Sequence, residues 1–303
     1  MVELSRREFL KISSAALSAT LLPHLDFPGV SAVQIPPLGK IDPFTGELKS
    51  PDREALIFFG GFMTDEGIPY NEIVPIKDTF TDLRQKLKTY GWNATDSFFF
   101  TYGVRGIDRY KATDTARSPR EIIKHTVEFF ETIEQMFPLV QFHLFAHSLG
   151  GIFALEVAKR YSGKVKSLSF INSPVKGIEP TIGMRLRTGL LTQAVRPWIG
   201  EEKVTGYLFD LWNNREYQEG LVEFARNFTE SGRKLVTVIS KDDPIVPKES
   251  SSIPGSDEIL LSLGSVGFNL FLLDYLRDCL DAHGRPLRND KAIEEIIKKA
   301  KLT

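Results

Sequence analysis

The apolar run Val140-Gln141-Phe142-His143-Leu144-Phe145 passes directly into Ala146-His147-Ser148-Leu149-Gly150-Gly151. That turn passes as directly into Ile152-Phe153-Ala154-Leu155-Glu156-Val157-Ala158, a stretch with helical apolar spacing. The pattern predicts a buried strand, a very tight turn carrying one serine, and a helix. Small residues two before and two after Ser148 allow a strained turn that lifts its hydroxyl clear of the backbone. An [Ala/Gly]-x-Ser-x-Gly pattern arises by chance in roughly one chain in five of this length, so the weight lies in the flanking strand and helix. No other serine of the chain satisfies the pattern. The plainer role for Ser148 is that of a helix cap.

The remaining chain alternates in the same way. Ala55-Leu56-Ile57-Phe58-Phe59 is a short apolar run ending in Gly60-Gly61. Phe80 to Tyr90 has helical spacing and precedes the strand Ser97 to Tyr102, and Pro119 opens a helix that ends before Pro138. Val165 to Ile171, Lys234 to Ser240 and Glu258 to Ser262 complete the expected strands. Strands apolar on both faces and separated by helices imply a doubly wound, mostly parallel α/β sheet covered on both sides. The long stretch from about 176 to 233 interrupts the alternation and is expected to form a helical cap insertion over the C-terminal edge of the sheet, where ligands bind in such folds, the plainer alternative being an elaborated crossover between strands.

Bulk composition narrows the partners. The chain has 303 residues, 42% of them hydrophobic, enough for one large domain with a full core. A formal net charge of −1 gives no electrostatic case for nucleic acid or an anionic membrane surface and points to small neutral molecules. The single cysteine, Cys279, rules out an intrachain disulfide and a cysteine-rich metal site, and its surroundings suit a buried helix position.

A serine hydroxyl needs a base to take its proton and a third group to orient that base. Five histidines are available. His24 lies in an N-terminal segment expected to be removed, His125 lies within a helix, His143 is expected to pack in a strand, and His147 is expected to pack or hydrogen-bond behind the turn. His283, in Asp281-Ala282-His283-Gly284-Arg285-Pro286, sits in a Gly/Pro-bearing loop before the terminal helix 291–300 and is the candidate base. The acid should follow a strand. Lys241-Asp242-Asp243-Pro244 follows Val236 to Ser240 and supplies two carboxylates. Asp243 is preferred and Asp242 is the alternative, since neighbouring residues point in different directions. The other strand end, Asn172-Ser173-Pro174, has no carboxylate. Oxyanion donors are expected from the backbone amides of Leu149, at the helix start, and Phe62, just past the glycine pair.

The N-terminus reads as an address. Ser5-Arg6-Arg7-Glu8-Phe9-Leu10-Lys11 before a mildly apolar stretch resembles a twin-arginine export signal. About eleven apolar residues fall short of the about 20 needed to span a bilayer. Val30-Ser31-Ala32 offers small residues for cleavage, which gives a signal peptide over 1–32, a mature domain over 33–303, and an exported protein that meets the twin-arginine machinery. Without cleavage the protein would stay membrane-associated.

With Gly60-Gly61, Ala146-His147-Ser148-Leu149-Gly150-Gly151, Asp243-Pro244-Ile245-Val246-Pro247 and His283 in this order, the chain resembles the α/β-hydrolase superfamily, within it the lipase and esterase group, over about residues 54–300. The resemblance implies an α/β-hydrolase fold, a triad of Ser148, Asp243 and His283, an oxyanion hole from the Phe62 and Leu149 amides, and hydrolysis of a small ester or lipid through an acyl-enzyme without cofactor or metal. Ala146 stands where glycine is usual, and Gly60 where histidine is common. Under a competing alignment, Phe268 in Gly264 to Leu270 would fill the histidine position. The chain would then be a catalytically impaired hydrolase fold used for binding. A third reading on the same triad is acyl transfer to an acceptor other than water.

Overall fold

In the computed structural model, the structure describes residues 54–61, 73–75, 79–93, 96–100, 109–111, 119–177, 215–267, 278–279 and 281–303. The expected export signal, Phe62, Phe268 and residues 178–214 lie outside them.

The main sheet contains β1 (Glu54–Phe59), β3 (Ser97–Phe100), β5 (Gln141–His147), β6 (Val165–Ile171), β7 (Lys234–Ser240) and β8 (Asp257–Leu261). Its spatial order is β3-β1-β5-β6-β7-β8, and every pairing is parallel. Nearly all side chains of β1, β3, β5, β6 and β7 are buried, as continuous apolar runs require when helices cover both faces, whereas in the edge strand β8 only Ile259 and Leu261 are. A small antiparallel pair, β2 (Ile73–Pro75) with β4 (Arg109–Lys111), stands apart. No residue pattern announces it, because three-residue strands carry too little periodicity.

The helices are α1 (Thr81–Thr89), α2 (Pro119–Met136), α3 (Gly150–Arg160), α4 (Arg215–Glu230), the short α5 (Lys248–Ser251) and α6 (Asp290–Lys299). Neighbouring residues of β5 show how they divide. Phe142 meets Phe130 of α2 with ring centroids 5.0 Å apart, whereas His143 meets Trp92, beyond the end of α1, at 5.6 Å. Side chains of a strand alternate between faces, so α2 and α1 cover opposite sides. Contacts of α1 with α6, and of α3 with both α2 and α4, assign the other long helices. The core on the α1 side is aromatic: Phe58 of β1 lies 5.2 Å from Phe99 of β3, 5.3 Å from Phe145 of β5 and 5.0 Å from Phe80. Register pairs Phe58 with Phe99 and with Phe145, so one stack locks three adjacent strands together.

Residues 215–230, part of the span read as a cap, form instead the crossover helix between β6 and β7. Helix α4 packs on α3 and β7 through the buried Leu221, Ala225 and Phe228. The Tyr217 phenol donates 2.8 Å to the buried Glu156 of α3. The rest of the expected cap, 178–214, lies outside the described residues. Cys279 is buried in a helical position as expected. None of the described helices is long and apolar enough to cross a membrane.

Candidate active site

The sheet order reverses between β1 and β5: the chain moves from β1 outward to β3, then returns to place β5 on the other flank of β1. In open α/β sheets the crevice for ligands lies at the C-terminal strand ends at such a point. Ser148 emerges there, one residue past β5. Its φ is +54°, a left-handed conformation that costs a non-glycine residue roughly 1–2 kcal/mol. The turn is held by the Ser148 N–H donating 3.0 Å to the Ile171 carbonyl of β6, and by the Gly151 N–H donating 3.1 Å to the Ser148 carbonyl. Leu149 follows at the N-cap of α3, where first-turn amides lack intrahelical acceptors.

The turn is also crowded. A Cβ on Gly151 would fall 2.5 Å from Cβ and 2.6 Å from Oγ of Ser173, which follows β6. A Cβ on Gly150 would in turn fall 2.5 Å from the carbonyl oxygens of Phe59 and Gly60, so the two glycines after Ser148 are held small by the ends of β6 and β1.

Asp243 lies in the turn after β7, and His283 in a helical turn, 281–284, that leads into a 3-10 turn, Arg285–Arg288, and α6. The expected loop at His283 is therefore helical. Pro286 and Leu287 are buried and hold the segment onto the domain. The Asp243 carboxylate and the His283 Nδ1 are 2.6 Å apart, with side chains 0% and 2% exposed. The other carboxylate oxygen, Oδ1, accepts from the amides of Ile245 at 2.8 Å and Val246 at 3.0 Å. Three donors thus fix the buried carboxylate in place. Nε2 of His283 is buried and has no hydrogen-bond partner among the described residues, the Ser148 hydroxyl included. Asp242 faces elsewhere and accepts 2.8 Å from the Ser262 hydroxyl.

Two further residues meet the base from behind, and sequence reasoning gave them no functional role. Asn172, at the end of β6 with φ +46°, donates from Nδ2 to the His283 carbonyl at 2.9 Å and accepts at Oδ1 from the Ser240 amide at 2.9 Å. His147 lies with its ring 4.7 Å from that of His283, and its Nε2 donates 3.3 Å to the same carbonyl. Burial, reinforced by the charge His283 can carry, holds the His147 pKa well below the usual histidine range. The usable sequence signal was an asparagine in place of a carboxylate at a strand end beside the serine turn.

A second serine–histidine–acid chain lies at the other edge of the sheet. His143 Nδ1 is 2.7 Å from the Ser167 hydroxyl, and Nε2 is 3.0 Å from the Glu54 carboxylate, which also pairs with Lys166. His143 is four residues before the end of β5, so at about 3.3 Å per residue the group sits roughly 15 Å below Ser148. Ser167 and His143 are buried in the sheet and each ring nitrogen is occupied. The group braces β1, β5 and β6. His125 of α2 packs against Phe100, with ring centroids 5.5 Å apart. Among the described residues no cluster of ligating side chains could hold a metal ion.

The sequence matches a family model described as alpha/beta hydrolase fold over residues 91–188. No curated protein sequence matches the chain. Among solved structures, Est1E from Butyrivibrio proteoclasticus with ferulic acid bound is similar at a TM-score of 0.51 and 13% identity, over 86% of this chain and 93% of that one. A lipase-esterase related protein from Clostridium acetobutylicum ATCC 824 gives 0.46 and 14%, over 83% and 95%. A monoacylglycerol lipase from Paleococcus ferrophilus gives 0.43 and 12%, over 78% and 96%. At such identities the likeness is one of fold.

Proposed function

Because this chain carries the α/β-hydrolase fold, we propose that it is a serine hydrolase that cleaves carboxylic esters through an acyl-enzyme on Ser148. The observation that carries the reading is the buried 2.6 Å bond between Asp243 and His283 at the sheet edge where the strained Ser148 emerges. In this reading Asp243 fixes the tautomer with the proton on Nδ1, which leaves Nε2 bare to accept the serine proton. The Ser148 oxygen then attacks the ester carbonyl, and the Leu149 and Phe62 amides receive the developing oxyanion. His283 returns the proton to the departing alcohol, and water, deprotonated by the same nitrogen, releases the acid and restores the serine.

The intact acid–histidine pair favours this reading over an impaired, binding-only fold, whose motive was Phe268. Small esters or lipids are the proposed substrates, although Phe58, Phe59 and Phe99 are packed in the core and do not line an acyl site; acyl transfer would use the same catalytic residues. Export by the twin-arginine route, after removal of residues 1–32, belongs to the same proposal and rests on Ser5 to Lys11. The test is hydrolysis of short- and long-chain p-nitrophenyl esters by residues 33–303. Ser148→Ala is expected to lower kcat by about 10⁴-fold, and undiminished activity in that variant would overturn the assignment. Adding an alcohol and analysing products separates hydrolysis from transfer.

A further inference from the structure

Two side chains converge on the main-chain oxygen of the candidate base. The His283 carbonyl accepts from Asn172 Nδ2 at 2.9 Å and from His147 Nε2 at 3.3 Å. It lies where the helical turn 281–284 gives way to the 3-10 turn 285–288, a junction whose carbonyls side chains commonly satisfy. The two donors come from different strand ends. His147 is the last residue of β5 and directly precedes Ser148, and Asn172 directly follows β6 and also grips the end of β7 through the Ser240 amide. Asp243 follows that same strand. The backbones that present serine and acid are therefore both tied to the backbone that presents histidine. The arrangement has a chemical cost. A carbonyl oxygen can only accept, so His147 must carry its proton on Nε2, and its buried Nδ1 then has no partner among the described residues. Asn172 is held at a positive φ. Neither feature is what packing alone would select.

We propose that His147 and Asn172 are positioning residues: by donating together to the His283 carbonyl they set the distance and angle between the imidazole and Ser148. The proposal rests on the serine-hydrolase reading. Three variants separate its parts. His147→Phe keeps a ring against His283 and removes the donor. His147→Gln restores an N–H at about the position of Nε2. Asn172→Asp keeps the acceptor for Ser240 and tolerates the left-handed backbone, but its carboxylate cannot donate.

The experiment measures kcat, KM and the rate of fluorophosphonate labelling of Ser148, with thermal unfolding of each variant. His147→Phe and Asn172→Asp are each expected to lower kcat and the labelling rate by about tenfold with KM little changed, since a hydrogen bond to a neutral group is worth a factor of about three to ten. His147→Gln is expected to recover most of the loss, and the double variant to lose about a hundredfold or more. Rates within twofold of wild type in both single variants overturn the proposal. So does a loss that tracks lowered Tm and is no smaller in His147→Gln than in His147→Phe. A wild-type protein whose Ser148 neither labels nor supports hydrolysis overturns the underlying reading and takes the proposal with it. A wild type that labels and hydrolyses leaves the three variants to decide the positioning role alone.

Discussion

Gly150 stands so close to Phe59 that a Cβ built on it would lie 2.5 Å from the Phe59 carbonyl oxygen, and 2.5 Å from that of Gly60. Both obstacles are backbone, at the end of β1, and backbone cannot rotate aside as a side chain can. Gly150→Ala must separate the serine turn from the β1 edge, at the point where the chain runs on to Phe62. Overpacking of this kind costs typically 1–3 kcal/mol. The expected outcome is a stability loss of about 2 kcal/mol in urea unfolding, together with a fall in ester turnover larger than the stability loss explains. Gly163→Ala, whose Cβ would meet nothing within 4 Å, is the control.

The neighbouring carboxylates Asp242 and Asp243 are expected to separate cleanly. Asp243 faces His283 and two backbone amides, whereas Asp242 faces the Ser262 hydroxyl. Asp243→Asn can donate where the imidazole must donate, and so favours the wrong tautomer. A kcat loss of about 10³- to 10⁴-fold is expected. Asp242→Asn should stay within about twofold. Steady-state kinetics on one p-nitrophenyl ester decide it, and a silent Asp243→Asn would remove the acid from the proposed mechanism.

Much of this arrangement was legible in the sequence, and the limits have physical causes. Strands such as Leu56 to Phe59 and Leu144 to Ala146 are apolar on both faces, which fixes a covered parallel sheet without long-range information. The serine turn announces itself through Ala146, Gly150 and Gly151, although the groups that crowd the two glycines come from distant parts of the chain, the ends of β1 and β6. The spatial order of β1 between β3 and β5 is not local, nor is the meeting of Asn172 and His147 on one carbonyl. Helix α4 was hidden by its context. Tyr217, Leu221, Ala225 and Phe228 form a readable stripe, but apolar pieces between 189 and 212 drew the whole span 176–233 together as an insertion.

The conformation of Ser148 predicts a trade between stability and activity. At φ +54° a serine is strained and glycine is not. Ser148→Gly is expected to raise stability by up to about 1 kcal/mol while abolishing ester hydrolysis. Ser148→Ala, which keeps the Cβ, should abolish hydrolysis without that gain. Urea midpoints of the two variants, measured together, test the origin of the difference.

Two buried histidines set the acid limb of stability. Burial lowers the pKa of His143, which Glu54 opposes, and burial with the nearby His283 lowers that of His147 further. The unfolded chain takes up these protons near about pH 6.5 and the folded chain does not. Below that pH the unfolded state therefore binds more protons, and stability falls as pH drops toward the folded-state values. Burial raises Glu54 and Asp281, but hydrogen bonds from Lys166 and His143 to the first, and from Arg288 and Arg285 to the second, bring both net below the usual carboxylate value. They act in the same direction, but only at more acid pH. The urea midpoint is expected to decline already between about pH 7 and pH 5.5, and His147→Gln should flatten that decline. A midpoint constant over this window would contradict the burial argument.

The brace of Glu54, His143 and Ser167 has the bonding order of a catalytic set, and one substitution tells bracing from chemistry. Ser167 is 1% exposed and bonded to Nδ1 of His143, with its strand neighbours paired on both sides. Ser167→Ala removes that partner and leaves a buried imidazole nitrogen unsatisfied, which costs about 1–3 kcal/mol. The site at the opposite sheet edge keeps every contact it has. Lower urea stability with kcat/KM within about twofold of wild type is the expected result, because roughly 15 Å of close-packed sheet separates the brace from Ser148. A large fall in turnover at unchanged stability would instead make Ser167 part of the chemistry and move the proposed site to the N-terminal edge of the sheet.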